Sequence, residues 1–131
     1  MSIFLADNER SMIAQARGRP PLNRYYWALL NRASRRAESP GLVDDKTTTQ
    51  WWQYVAEYLT DAAMACALKS SDSLRAWIRN VTVGLVRRPR TDWVGPWYRN
   101  RGEQEIGHLE TAHLAWGVAV ALDLVPDVFT D

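Results

Sequence analysis

Apolar side chains along this chain recur at intervals of three and four residues, the period of one face of an α-helix, and the fold class this predicts is all-α. The first such stretch opens near Asp7 or Asn8, either of them a good N-cap. It carries Met12 and Ile13 before Gly18 and the Pro20-Pro21 pair stop it. A second helix is expected after Pro21, with Leu22, Tyr25, Tyr26, Leu29, Leu30 and Ala33 on its apolar face. Arg32, Arg35 and Arg36 fall mainly toward solvent, and Ser39-Pro40-Gly41 ends the element. The third helix opens in the cluster of threonines at 47–49, and Trp51, Trp52, Val55, Leu59, Ala62, Ala63 and Cys66 mark a broad apolar face. Trp51 and Trp52 are adjacent, so they diverge by about 100° on a helix and cannot both face one core. One of them is expected to meet a neighbouring helix or a cleft.

Ser70, Ser71 and Asp72 form a turn and cap for a fourth helix, in which Leu74, Trp77, Ile78, Val81 and Leu85 repeat at helical spacing. A turn this short makes the third and fourth helices an antiparallel hairpin. The stretch 88–102 holds Pro89, Gly95 and Pro96 together with Trp93, Trp97 and Tyr98, and it cannot be helical throughout. A fifth helix is expected over 103–125, with Ile106, Leu109, His113, Trp116, Gly117, Val120 and Leu124 on one stripe. Its second half is apolar nearly all round, as in a helix surrounded by other helices. After Pro126, the residues Asp127, Thr130 and Asp131 offer capping chemistry for a further helix. The expectation is a single helical domain over 1–131 that forms the front of a longer array. Its last apolar face would then be uncovered, and the chain should self-associate or be only marginally stable.

Composition narrows the partners. The formal net charge of +1 gives no global field that would draw the whole chain to nucleic acid or to an anionic membrane, so any such partner would need a local patch. Lys46 and Lys69 are the only lysines, and every other basic side chain is arginine. The arginine fork suits carboxylates, sulfates and phosphates, although an arginine-rich genome gives the same bias. Cys66 is the only cysteine, which excludes an intrachain disulfide, and its apolar setting suits a small buried hydrophobe. The opening residues lack the layout of a signal peptide and no apolar run reaches membrane length, so the expected location is cytoplasmic unless a leader has been removed.

Few constellations carry chemistry. His108 and His113 lie five residues apart and point about 140° from each other on a helix, which does not suit the four-residue spacing of a zinc-binding pair. Neither a metal nor a cofactor is expected. Glu110 and His113 are three apart and within reach, so His113 is expected to be a buried histidine satisfied by Glu110 or by a backbone carbonyl, with an acid/base role as the alternative. The group Trp93, Trp97, Tyr98, Arg99 and Arg101 combines flat rings with guanidinium groups on an irregular segment, where they could stack on sugar faces and pair with carboxylates. Alternatively, the tryptophans fold back over the helix ends and the arginines are solvated. Arg87, Arg88 and Arg90 with Arg99 and Arg101 could instead grip phosphate, but no recognition helix, RNP motif or Gly-rich phosphate loop accompanies them, and no nucleic-acid partner is expected.

The stretch Asp92-Trp93-Val94-Gly95-Pro96-Trp97-Tyr98-Arg99, then Gly107-His108-Leu109-Glu110-Thr111-Ala112-His113-Leu114 and Ala119-Val120-Ala121-Leu122-Asp123-Leu124, resembles the heparinase II/III-like and related alginate lyases. The resemblance implies the N-terminal hairpins of an incomplete α/α toroid, with a β-sandwich to follow. Members of that family cleave acidic polysaccharides by β-elimination, using tyrosine, histidine and asparagine side chains on later helices and on the sandwich. The family's asparagine before a histidine has no counterpart, since Gly107 precedes His108. No catalytic residue is therefore carried over, and the chain by itself is not expected to turn over substrate. What the resemblance does imply is contact with an acidic, uronate-containing glycan through Trp93, Trp97, Tyr98 and Arg99. The competing expectation is a non-enzymatic helical module whose exposed aromatics bind another protein.

Overall fold

The computed structural model describes residues 2–38, 51–94 and 109–130. Among them are five α-helices and no strand: α1 (Asp7–Ala16), α2 (Leu22–Ala37), α3 (Trp51–Leu68), α4 (Asp72–Val86) and α5 (Leu109–Leu124). Single 3-10 turns follow α4 at Arg90–Trp93 and α5 at Pro126–Val128. None of the described helices is long and apolar enough to cross a membrane.

α3 is the central element and packs against each of the other four helices. Its buried residues, Trp51, Val55, Ala56, Leu59, Ala62, Ala63, Ala65 and Cys66, cover much of its circumference. Small residues dominate that set, which lets neighbouring backbones come close. One such close approach is at Gly117 of α5, where a Cβ would lie 3.1 Å from the Ala56 Cα and 3.3 Å from the Ala56 carbonyl oxygen. α4 buries Leu74, Trp77, Ile78, Val81, Thr82 and Leu85, the expected stripe with one threonine added, and the Ser71 hydroxyl caps it by accepting from the Leu74 N–H at 3.3 Å. Residues 69–71 join α3 to α4 as the expected hairpin.

α1 follows the sequence less closely. Its N-cap is Ala6, the Glu9 carboxylate accepts from the Ala6 N–H at 2.9 Å, and no residue of the helix is fully buried. α2 buries Tyr26, Leu30 and Ala33, while Leu22 and Tyr25, expected on the same face, are exposed.

The largest departure is the rotation of α5. The buried positions are Glu110, Leu114, Gly117, Val118, Val120, Ala121 and Leu124, whereas Leu109 and Trp116, assigned to the core stripe from their spacing, are 62% and 54% exposed. A helix that is apolar on every side carries no period from which its orientation can be read. Contact with α3 decides instead, with Gly117 set against Ala56. The expected start of this helix at 103–108, with Ile106 and His108, lies outside the described residues.

Both ends of the described chain are tied down by carboxylates. Asp123 of α5 accepts from the backbone N–H groups of Ile3 (2.8 Å) and Phe4 (3.0 Å) and from the Ser2 hydroxyl. The Asp127 carboxylate pairs with Arg75 of α4, while Arg79 donates to the Val128 carbonyl at 3.1 Å, so the 3-10 turn at Pro126–Val128 is tied to α4 with Val128 buried.

Candidate functional site

The sequence places Arg32 and Arg36 one turn apart on α2 and Asp61 on α3, and the packing of the two helices brings them together. Arg32 grips Asp61 with Nε at 2.7 Å and Nη2 at 2.8 Å, and Arg36 reaches the same carboxylate with Nη1 at 3.1 Å. Two guanidinium groups thus share one carboxylate. The hydrogen bond to Asp61 raises the Arg32 pKa still further above its ordinary value, keeping it charged. Arg36 also sits over the Tyr58 ring, its guanidinium carbon 3.3 Å from the centroid. Arg32 and Arg35 are exposed, as their positions on α2 predict, and Arg36 is half-buried; Arg32 and Arg36 also form the wall of a cleft.

That cleft, of about 650 Å³, runs between α2, α3 and α5. Arg32 and Arg36 form one side. The floor is α3, with Ala56 and Thr60 as small residues and Glu57 and Asp61 as carboxylates. Leu109, Ala112, His113 and Trp116 of α5 form the far side. Its size falls in the range of sites that hold a small molecule or one end of a longer one. The Thr60 hydroxyl donates to the Ala56 carbonyl at 2.8 Å, which leaves its oxygen lone pairs as acceptors.

His113 is half-buried rather than fully buried, and its ring meets Trp52 edge-on at 4.8 Å. Its Nδ1 is 2.9 Å from the Leu109 carbonyl oxygen. A carbonyl can only accept, so Nδ1 carries the proton and, in the neutral ring, Nε2 keeps the lone pair. Of the two satisfying groups expected for this histidine, the backbone carbonyl is the one found. Glu110 turns the other way. It is only 6% exposed, and its Oε2 has no hydrogen-bond partner among the described residues. Trp51 and Trp52 part as their adjacency requires, Trp51 into the core and Trp52 toward the cleft histidine.

The proposed contact residues fare differently. Trp93 does not stand free on a loop. It lies in the 3-10 turn after α4, packs against the core, and donates its indole N–H to the Leu85 carbonyl at 3.1 Å. The turn is tied to α5 by the Thr111 hydroxyl, which donates to the Trp93 carbonyl at 3.0 Å. Trp93 is therefore a covering residue at the end of α4, the alternative that the sequence left open, and it takes no part in the cleft. Trp97, Tyr98 and Arg99 lie outside the described residues. Arg32, Asp61 and Trp116 were missed as a group because they come from three helices whose relative rotation no local pattern encodes. The bidentate partner for arginine was the one available signal, since Asp61 is the only charge in the second half of α3.

α5 carries a second surface feature beside the cleft. Ala112, Ala115 and Ala119 are exposed together with Leu109, Trp116 and Leu122, so its outer face is apolar from end to end. Phe4 packs edge-on against Trp116 with ring centroids 4.9 Å apart, and Ile3 beside it is 89% exposed.

No protein-family model matches the sequence, and no curated protein or solved structure matches it either.

Proposed function

We propose that the chain binds an acidic, uronate-containing sugar in the cleft between α2, α3 and α5, as a non-catalytic helical part of a polysaccharide lyase-like protein. The observation that supports this is the meeting in one cleft of a guanidinium pair, an imidazole and a half-exposed indole. Each has a task suited to a sugar acid. The Trp116 face stacks on the apolar C–H face of a pyranose. The N–H groups of Arg32 not used by Asp61 donate to the sugar carboxylate, and Asp61 itself holds the fork in place. Thr60, Glu57 and His113 Nε2 accept from hydroxyls. Glu57 and Asp61 formally balance Arg32 and Arg36, so the cleft suits a ligand that presents hydroxyl donors as well as a carboxylate, rather than a bare polyanion. Binding without turnover fits the pairing already in place: the arginines are held on Asp61 and the His113 Nδ1 proton on a backbone carbonyl.

Titration of uronate oligosaccharides against the chain, followed by tryptophan fluorescence, tests this. A saturable change is expected, lost in Arg32→Ala and in Trp116→Ala and retained in Trp93→Phe. A flat signal at millimolar ligand overturns the proposal. Trp97, Tyr98 and Arg99 belong to it as a further contact group, and loss of the signal in Trp97→Ala with retention in Arg32→Ala would move the site to them. A second reading, a helical protein-interaction module, is favoured by the apolar outer face of α5.

A further inference from the structure

The six exposed apolar positions of α5 have an internal symmetry. Leu109 and Leu122, Ala112 and Ala119, and Ala115 and Trp116 are three pairs centred on one point, midway between Ala115 and Trp116. On a helix at 100° per residue, Ala112 and Ala119 run along the middle of this face, with the larger side chains to either side. The strip is about 20 Å long at 1.5 Å per residue.

From this symmetry we infer that α5 is the interface of a two-fold homodimer, in which α5 of one copy packs antiparallel on α5 of a second copy. A two-fold interface must be self-complementary, with each residue meeting the one its own image presents. Antiparallel pairing about the midpoint sets Leu109 level with Leu122 of the second copy, Ala112 level with Ala119, and Trp116 level with Ala115. Alanines then lie where the two backbones come closest, and the two Trp116 rings meet beside the axis. Had the apolar positions been asymmetric, this face would have called for a different partner.

Charge and area agree with a second copy as the occupant. None of the six side chains is charged, so the two-fold brings no like charges together, and Asp123 at the end of the strip already has its carboxylate engaged by Ser2, Ile3 and Phe4. Ile3 and Phe4 extend the patch beside Trp116. Complete coverage of their exposed fractions would bury at most roughly 700 Å² of each copy, at the lower end of the ~600–1,000 Å² per partner of a standard stable interface. Leu109, Ala112 and Trp116 line the cleft as well as this strip, so a second copy and a bound sugar would compete for them.

Sedimentation velocity on the full chain across the micromolar to submillimolar range is the test. A monomer–dimer equilibrium is expected. Ala119→Glu, at an exposed position outside the cleft, should weaken dimerisation at least tenfold with the helical circular dichroism unchanged, whereas Arg35→Glu on the exposed side of α2 should not. Cysteine cross-linking reads the geometry without relying on a disruptive variant. Ala115→Cys lies beside the axis and should link to itself on oxidation, whereas two Leu122→Cys thiols lie about 20 Å apart at opposite ends of the interface and should not. The unsubstituted chain, whose Cys66 is buried, is the control. A chain monomeric throughout the range overturns the inference, whether another segment or another protein covers the face. A dimer indifferent to Ala119→Glu, or one linked through Leu122→Cys and not through Ala115→Cys, overturns it equally.

Discussion

Three residues matter more to this structure than their types suggest. Trp93 joins a hydrophobic lid to a hydrogen bond, sharing the Leu85 carbonyl with the Arg88 N–H. Trp93→Ala should lower stability by about 2 kcal/mol or more, short of the ~3–5 for a fully buried tryptophan, while Trp93→Phe should cost only the hydrogen bond, about 1 kcal/mol. Urea midpoints check both, and an unchanged midpoint in the alanine variant would return Trp93 to the list of free contacts. Gly117 is required by space. A methyl group there meets Ala56 backbone atoms that cannot yield without moving α3, so Gly117→Ala should cost about 1–3 kcal/mol even though alanine is the better helix former. Glu110 acts in the opposite direction. A carboxylate oxygen buried without a partner is destabilising, and Glu110 Oε2 has none among the described residues, so Glu110→Met should raise the urea midpoint. A lowered midpoint would mean that the carboxylate serves an interaction the fold depends on.

Among the elements, the segment before α1 is anchored by the buried Leu5 and tethered to α5 through one carboxylate, and falling pH should release that tether. Hydrogen bonds from the Ile3 backbone, the Ser2 hydroxyl and the Phe4 backbone hold the Asp123 pKa below the ordinary carboxylate value of ~4. The Arg75 hydrogen bond does the same for Asp127. A depressed folded pKa means that the stabilisation is fully present above the unfolded value and is lost as pH falls through the folded one. The Ile3 and Phe4 amide resonances should therefore hold steady from neutral pH down to about 4 and move only below it. In Asp123→Ala they should already occupy the released positions at neutral pH. A midpoint above the ordinary carboxylate range would show that another group controls the segment. The hairpin of α3 and α4 needs no such device, because the Ser71 cap and the α4 stripe specify it locally.

For the molecule as a whole, the exposed face of α5 predicts that stability depends on concentration. A partner copy that binds only the folded chain adds to the free energy of unfolding by mass action, so Tm should rise across a hundredfold range of concentration. Ala119→Glu should abolish the rise and leave the dilute Tm nearly unchanged, since Ala119 is exposed in the single copy. Differential scanning calorimetry reads both, and a Tm high and independent of concentration would count against the uncovered face as an interface. The all-α class and the α3–α4 hairpin agree with the sequence. The toroid belongs to the sugar-binding proposal.

What the sequence determined by itself is what nearest neighbours on one helix decide. The stripe Leu74, Trp77, Ile78, Val81 and Leu85 has a single apolar face, so its buried side was legible at once, and the divergence of Trp51 and Trp52 follows from helix geometry alone. In α5 the same method failed. Apolar residues on every side leave its rotation open, and the small Gly117 facing Ala56 fixed it, turning Glu110 inward and Trp116 outward. The pairing of Arg32 and Arg36 with Asp61 needed α2 and α3 laid side by side, and the cleft needed α5 beyond them. Rotations and contacts between helices arise from side-chain volumes fitting across elements distant in sequence. For that reason the fold class could be read from the order of residues, whereas the candidate site was decided by tertiary packing.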